Sequence, residues 1–362
     1  MRIPYSLILA LATLALTLLG TPLVMRLARG LGALDHPGQR RVHREPIPTL
    51  GGLAMVVAVL GVAWAARLMP GPAQVLDLRP LIGITLAAFL IMVLGLVDDL
   101  RGARPWVKLV VQALVGTVLY GFGLGVPAIS NPFGASIPSG PLNLPLTVAW
   151  VVLVMNAVNL IDGLDGLASG AVLISSLALW WVGRTHANFY VMFMSSLLIG
   201  TTLGFLRYNF PPARIFMGDT GSQFLGLMLA AVSLLENRKG TATVTLLFPL
   251  VAMAVPIADG VLAFLRRLVG RRPIFRADSE HVHHRLLRLG LSQKNAVLVL
   301  WFVCVYSGVM AVVLSALPSS YALLLAGGLA AGLFFAFEVL EFIDRKLNEP
   351  PPRLGKSEGG DR

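Results

Sequence analysis

The feature that most limits what this chain can fold into is its succession of apolar runs, separated by breaks too short to hold a soluble domain. An α-helix rises 1.5 Å per residue, so about 20 apolar residues span a hydrocarbon core of roughly 30 Å. About eleven segments approach that length, over residues 3–25, 50–69, 80–97, 107–125, 144–161, 167–183, 187–206, 222–236, 243–266, 294–316 and 320–343. Composition agrees: 56% apolar residues, 13% charged and a mean hydropathy of +0.78 leave too little polar surface to cover a soluble globule of 362 residues. The expected fold is an all-α polytopic membrane protein of about eleven helices. Residues 1–343 form one membrane domain, and residues 344–362 a tail whose Pro, Gly and charge content predicts disorder. The first run is too long for the apolar core of a signal peptide and is read as a retained helix.

Charge sets the expected orientation. The net charge of +11 could point to nucleic acid, but no basic domain with interleaved aromatics is present to bind it. Threading the runs through a bilayer places the loops near 26–49, 98–106, 162–166, 207–221 and 267–293, with the tail from Asp344, on one side. Every lysine and arginine except Arg2, Arg67, Arg79, Arg184, Arg238 and Lys239 falls on that side, which the positive-inside bias makes cytoplasmic. Eleven spans then put the N-terminus outside and the C-terminus in the cytoplasm. The single cysteine, Cys304, lies within an apolar run, which excludes an intrachain disulfide and a thiolate metal site.

The polar clusters gather on the same face. Between two apolar runs stands Asn156-Ala157-Val158-Asn159-Leu160-Ile161-Asp162-Gly163-Leu164-Asp165-Gly166-Leu167-Ala168-Ser169-Gly170. An ionised carboxylate at the edge of hydrocarbon normally faces a cavity or a cation. The spacing of three between Asp162 and Asp165 puts both on one cleft if the helix persists. The other clusters are Asp35 to Gly52, Gly95 to Asp99, Asn209 to Ser222 and His281 to Arg285. Five acids (Asp98, Asp99, Asp162, Asp165, Asp219) with amides and no thiolates make a hard-oxygen environment suited to Mg²⁺ or Mn²⁺ rather than zinc. Arg40, Arg41, Arg44, Lys108 and the Arg271–Arg288 loop supply cations for phosphates, so the sum is phosphoryl transfer at a membrane face.

Each motif also has a structural reading. Asp98-Asp99 could be a solvated helix end, Asp162 to Gly166 an Asx-type turn, and Asp219 a helix N-cap. His281-Val282-His283-His284 could be an ordinary basic surface loop. Asp259, placed inside an apolar run, fits function or helix pairing, and Glu338 fits snorkelling.

Taken together, Val97-Asp98-Asp99, Asn159 through Gly166, Phe216-Met217-Gly218-Asp219-Thr220-Gly221-Ser222 and His281-Val282-His283-His284-Arg285 resemble the signatures of the polyprenyl-phosphate N-acetylhexosamine-1-phosphate transferases, glycosyltransferase family 4. The first loop, Asp35-His36-Pro37 to Gly51-Gly52, is similar to the WecA/TagO branch, and Val282 interrupts what is an unbroken histidine run in the branch that makes peptidoglycan lipid I.

The resemblance implies transfer of a sugar 1-phosphate, most often from UDP-GlcNAc, onto undecaprenyl phosphate with release of UMP. The site would face the cytoplasm of the bacterial inner membrane and feed a cell-surface polysaccharide, lipopolysaccharide O antigen or teichoic-acid-type pathway. Asp219 resembles the family's Mg²⁺ ligand, and Asp165 a second acid beside the metal and diphosphate. Asp162 and Asn159 look like the uridine edge, Phe216 like the ring stacked on uracil, and Asn209, Arg44 and Thr49 like nucleotide-side contacts. Lys108, His281, His283 and His284 resemble phosphate-binding groups. Arg276 belongs to the loop expected to choose the sugar, and Asp98, beside Asp99, resembles the base for the lipid phosphate. A homodimer is also implied. The alternatives are a phospho-N-acetylmuramoyl-pentapeptide transferase and, from a different class, a multispanning transporter. A transporter would place its acids at mid-helix and show an internal repeat.

Overall fold

The computed structural model describes residues 3–36, 45–129, 137–237, 282–317 and 319–348. In chain order these carry α1 (Ile3–Leu31), β1 (Leu34–Asp35), β2 (Ile47–Pro48), α2 (Gly51–Leu68), α3 (Leu78–Arg101), α4 (Pro105–Gly121), β3 (Ala128–Ile129), β4 (Ile137–Pro138), α5 (Asn143–Ile161), α6 (Leu167–Thr185), α7 (Phe189–Asn209), α8 (Gly218–Asn237), α9 (Val282–Arg288), α10 (Gln293–Ser315) and α11 (Ser319–Asn348). The strands form two short antiparallel ribbons, Leu34 opposite Pro48 and Ala128 opposite Pro138. The helix starts follow their local chemistry. Asp77, Asn188 and Ser292 accept N–H groups of the first turns of α3, α7 and α10, and Pro105 opens α4 with its pre-set φ.

Among the described residues, seven helices are long and apolar enough to cross a membrane, not eleven. They are α1, α2, α3, α5, α6, α7 and α10. The shortfall has identifiable causes. Residues 243–266, Asp259 among them, lie outside the described residues. Helix α4 has only 17 residues, α11 is represented by the shorter apolar stretch Gly327–Ala336, and α8 carries Ser222, Gln223, Ser233 and Glu236. A helix enclosed by other helices does not meet lipid, so its hydropathy can fall without cost. Helix α8 is in that position: Thr220 to Glu236 are all buried, and α2, α3, α5, α6 and α7 pack around it. Two boundaries also move. Helix α1 continues past Met25 to Leu31, and α11 runs to Asn348, beyond the expected limit at 343.

Close backbone approaches set the depth and rotation of α8. A Cβ on Gly52 of α2 would lie 2.1 Å from the Gly221 nitrogen, and one on Gly95 of α3 would lie 2.3 Å from the Thr220 Cα. Only glycine lets helices in an apolar medium approach this closely. The loop before α8 is stitched to the end of β2, where Phe216 N–H donates to Pro48 O at 2.9 Å and Gly51 N–H to Phe216 O at 3.0 Å. The first turn of α8 is thereby held between the starts of α2 and the end of α3. Cys304 is buried in α10, as its apolar run predicts.

Candidate active site

The first turn of α8 receives its cap from another helix. Asp99, in the last turn of α3, accepts the Asp219 N–H on Oδ1 at 2.7 Å, and on Oδ2 the Thr220 N–H at 3.2 Å and hydroxyl at 2.7 Å. A carboxylate on these otherwise unpaired donors also meets the positive end of the helix dipole. The Asp219 side chain is therefore not needed as a cap and is directed elsewhere. It pairs with Lys108 Nζ, which lies 2.5 Å from Asp98 Oδ2 on its other side. Asp98 Oδ1 in turn accepts the Ala103 N–H, so the α3–α4 turn fixes the carboxylate that fixes the lysine. Lys108 is thus an ammonium bridging two acids at the membrane edge.

The turn between α5 and α6 forms the opposite part of the site. Helix α5 ends at Ile161 with Asp162 as its C-cap, so the helix does not persist from Asp162 to Asp165 as their spacing alone would allow. The turn itself brings both to one cavity. Asp165 Oδ2 accepts the Ala213 N–H at 2.9 Å, tying this turn to the loop before α8. Asn209 closes the arrangement from within. Its Oδ1 accepts the Gly166 N–H at 3.0 Å and the Ser169 hydroxyl at 3.2 Å, and its Nδ2 donates to Ile215 O at 3.0 Å. Asn159 Oδ1 accepts the Ser222 hydroxyl at 2.6 Å.

These elements enclose a cavity of about 440 Å³, the size of a small-ligand pocket. Its walls include Thr49, Asp99, Asn159, Asp162, Asp165, Asn209, Phe216 and Asp219, eight of the expected site residues. Asp98 and Lys108 adjoin it through Asp219. Burial, then the facing carboxylates of Asp219, Asp99 and Asp165, hold the Asp162 carboxyl well above the usual carboxylate range.

Two features add to the sequence-based expectations. Asn209, expected as a nucleotide contact, lines the cavity but has its amide engaged in holding the Gly166 and Ile215 backbone. Lys108, expected to meet phosphate, is already paired with two carboxylates. Arg44, Arg276 and His281 lie outside the described residues, and of His283 and His284 only the backbone, in α9, is described. The cavity also has two walls that no motif marked as a binding residue, Asp35 of β1 and Gln293 at the start of α10. Asp35 stood in a recognised polar loop. Gln293 is one amide after a helix cap, and only the packing of α10 brings it there.

Among the described residues no three His, Cys, Asp or Glu side chains converge as a closed metal site. Mg²⁺ does not need one, because it keeps several waters and binds through one or two carboxylates plus substrate phosphates. Asp219 and Asp165, on the wall of one acidic and thiol-free cavity, fit that mode.

Fold and site together define a multi-pass helical membrane protein with an acidic, amide-lined ligand cavity at one end of its helices. The profile of glycosyl transferase family 4 matches residues 81–237, from α3 through α8. The chain is 37% identical over 314 residues to the probable undecaprenyl-phosphate N-acetylglucosaminyl 1-phosphate transferase of Bacillus subtilis (strain 168), covering 86% of this chain and 85% of that protein. It is 35% identical over 317 residues to the decaprenyl-phosphate N-acetylglucosaminephosphotransferase of Mycobacterium tuberculosis (strain ATCC 25618 / H37Rv), covering 81% of this chain and 78% of that one. A phospho-N-acetylmuramoyl-pentapeptide-transferase of Streptococcus pyogenes serotype M12 is 32% identical over 260 residues, covering 68% and 76%. The chain belongs to glycosyl transferase family 4, the polyprenyl-phosphate N-acetylhexosamine-1-phosphate transferases.

Proposed function

We propose that the protein transfers GlcNAc 1-phosphate from UDP-GlcNAc to undecaprenyl phosphate, releasing UMP, at the cytoplasmic face of the bacterial inner membrane. The observation that carries this reading is the Lys108 ammonium held between Asp98 and Asp219 beside a cavity walled by five aspartates. Two phosphate-bearing substrates must meet there, and their mutual repulsion is the main barrier to reaction. The names of the relatives from Bacillus and Mycobacterium support the substrate pair. The product would feed a cell-surface polysaccharide or teichoic-acid-type pathway, and the working unit is a homodimer.

The chain's own residues divide the work. Phe216 offers its ring to uracil, and Asn159 and Asp162 border the nucleoside. Asp219 and Asp165 would hold a Mg²⁺ or Mn²⁺ ion, which supplies charge neutralisation to the diphosphate and the departing UMP. Lys108, fixed by Asp98, presents its ammonium to the incoming lipid phosphate. That phosphate has a second pKa of about 6, so it arrives largely ionised and needs orientation more than deprotonation. One of its oxygens attacks the β-phosphorus, the bond from that phosphorus to the α–β bridging oxygen breaks, and UMP leaves.

The test is UMP release by the purified protein with UDP-GlcNAc, undecaprenyl phosphate and Mg²⁺, followed by a panel of UDP-sugars. Turnover that requires both substrates and the divalent cation is expected. UMP release without lipid acceptor, or a trapped phospho-enzyme, would overturn the one-step route, and no release with any UDP-sugar would overturn the assignment.

A further inference from the structure

Directly beneath the Lys108–Asp219 pair lies a second polar rung. Lys108 and Gln112 are four residues apart on α4, and Asp219 and Gln223 are four apart on α8, so each pair shares a helix face with a rise of about 6 Å between its members. Gln112 Nε2 donates to Gln223 Oε1 at 2.8 Å, and Asn156 Nδ2 of α5 donates to Gln112 Oε1 at 2.7 Å. Gln112 is 0% and Gln223 1% exposed. Three helices are joined by amides in the apolar interior, one turn deeper than the residues each contributes to the site: Lys108, Asp219 and Asn159.

Among the described residues, these polar bonds are the side-chain hydrogen bonds and ion pairs that join α4 to α8. Helix α4 packs on α3 and α5, while α8 packs on α2, α3, α5, α6 and α7, and the two rungs are polar links from α4 to α8. The upper rung is an ion pair at the cavity edge and, on the proposed function, is disturbed each time phosphates bind. The Gln112–Gln223 bond of the lower rung is buried. A buried amide left unpaired is costly, which gives the lower rung a single preferred geometry. Among the described residues Gln223 Nε2 has no partner, so losing Gln112 also removes the hydrogen bond that Oε1 accepts.

We propose that Gln112 and Gln223 are positioning residues for the phosphate-transfer reaction: their buried hydrogen bond sets the rotation of α4 against α8 and so places Lys108 against Asp219. This inference rests on the function proposed above for Lys108 and Asp219. A misplacement of about 1 Å at a reacting group can lower a rate about 100-fold.

The experiment compares wild type with Gln112→Leu, Gln223→Leu and the double variant, reading kcat, KM for UDP-GlcNAc and the unfolding temperature of the full chain in detergent. Unfolding temperatures are also measured for Lys108→Met and Lys108→Met/Gln112→Leu. The expected result is a kcat lowered about tenfold or more in each single glutamine variant, with KM within about twofold and the double variant no worse than the singles. Lys108→Met and Gln112→Leu are expected to be non-additive in unfolding temperature. The inference is overturned by unchanged kcat, by kcat and KM shifting together with the loss of stability, or by strict additivity of the Lys108 and Gln112 substitutions. If wild type itself releases no UMP, the function reading fails, while the stability cycle still decides whether the lower rung governs the upper one.

Discussion

Asp99 holds Asp219 by its backbone: the Asp99 carboxylate accepts the Asp219 N–H at 2.7 Å and, through its second oxygen, the N–H and hydroxyl of Thr220. Two neighbouring acids on α3 therefore do different things to one acid on α8. Asp99 orients the helix start from which Asp219 projects, and Asp98 steadies the lysine that Asp219 pairs with. Neither division of labour is visible in the string Val97-Asp98-Asp99.

Asp99→Ala is expected to lower the unfolding free energy by about 1–2 kcal/mol, the cost of an unmade helix cap. Asp99→Asn keeps acceptor capacity and should lose less. Thermal unfolding of the two variants, measured with UMP release, checks the order. Equal stability of Asp99→Ala and wild type would show that the cap is dispensable.

Asp219→Asn, Asp165→Asn and Asp98→Asn are each expected to remove most turnover, about 100-fold or more, while the protein still inserts in membranes. Steady-state UMP release at saturating Mg²⁺ is the measurement. Wild-type turnover in Asp219→Asn would remove it from the metal site.

The raised carboxyl of Asp162 gives a stability profile of definite sign. A group whose folded pKa lies above its unfolded value, about 4 for Asp, favours the fold at low pH and loses that contribution as pH rises through the folded pKa. Asp162→Asn should therefore unfold at a higher temperature than wild type at pH 7–8 in the absence of divalent cation, and the gap should close toward pH 4. A gap that widens on acidification would contradict the electrostatic origin of the shift.

Gly52→Ala and Gly95→Ala are each expected to prevent α8 from seating, because the added methyl would lie 2.1 Å from the Gly221 nitrogen or 2.3 Å from the Thr220 Cα. Overpacking of this kind costs roughly 1–3 kcal/mol or more. Gly61→Ala on α2, where nothing lies within 4 Å, is the control and should fold as wild type. The yield of monodisperse detergent-solubilised protein separates the three.

His186→Ala is expected to destabilise the far end of α8 by about 1–3 kcal/mol. His186 Nδ1 lies 2.7 Å from the buried Glu236 Oε1, and among the described residues Glu236 Oε2 has no hydrogen-bond partner, so removing the imidazole strips the carboxyl group of that contact. His186→Ala/Glu236→Leu should recover part of the loss in thermal unfolding, since an apolar replacement removes the buried polar group itself.

Hydropathy alone establishes a multi-pass helical membrane protein, because backbone polar groups must be satisfied within each span and the length of an apolar run reads out that demand. Hydropathy says less about α8, whose residues Thr220 to Glu236 are buried among other helices. Lipid contact, which hydropathy measures, is absent for a helix enclosed by five others. The acids and amides of the site were also legible, since charge at a helix end in hydrocarbon requires a reason, and residue type names hard-oxygen chemistry without coordinates.

What only the tertiary structure decided is which residues touch which. Asp162 and Asp165 reach one cavity through a turn rather than a helical repeat, Asn209 braces backbone, and Gln293 completes a wall to which no motif pointed. The glutamine rung joins residues 111 positions apart. Contacts of that range depend on how glycine crossings seat α8 among its neighbours, and a one-dimensional pattern carries the period of each helix but not its rotation against another.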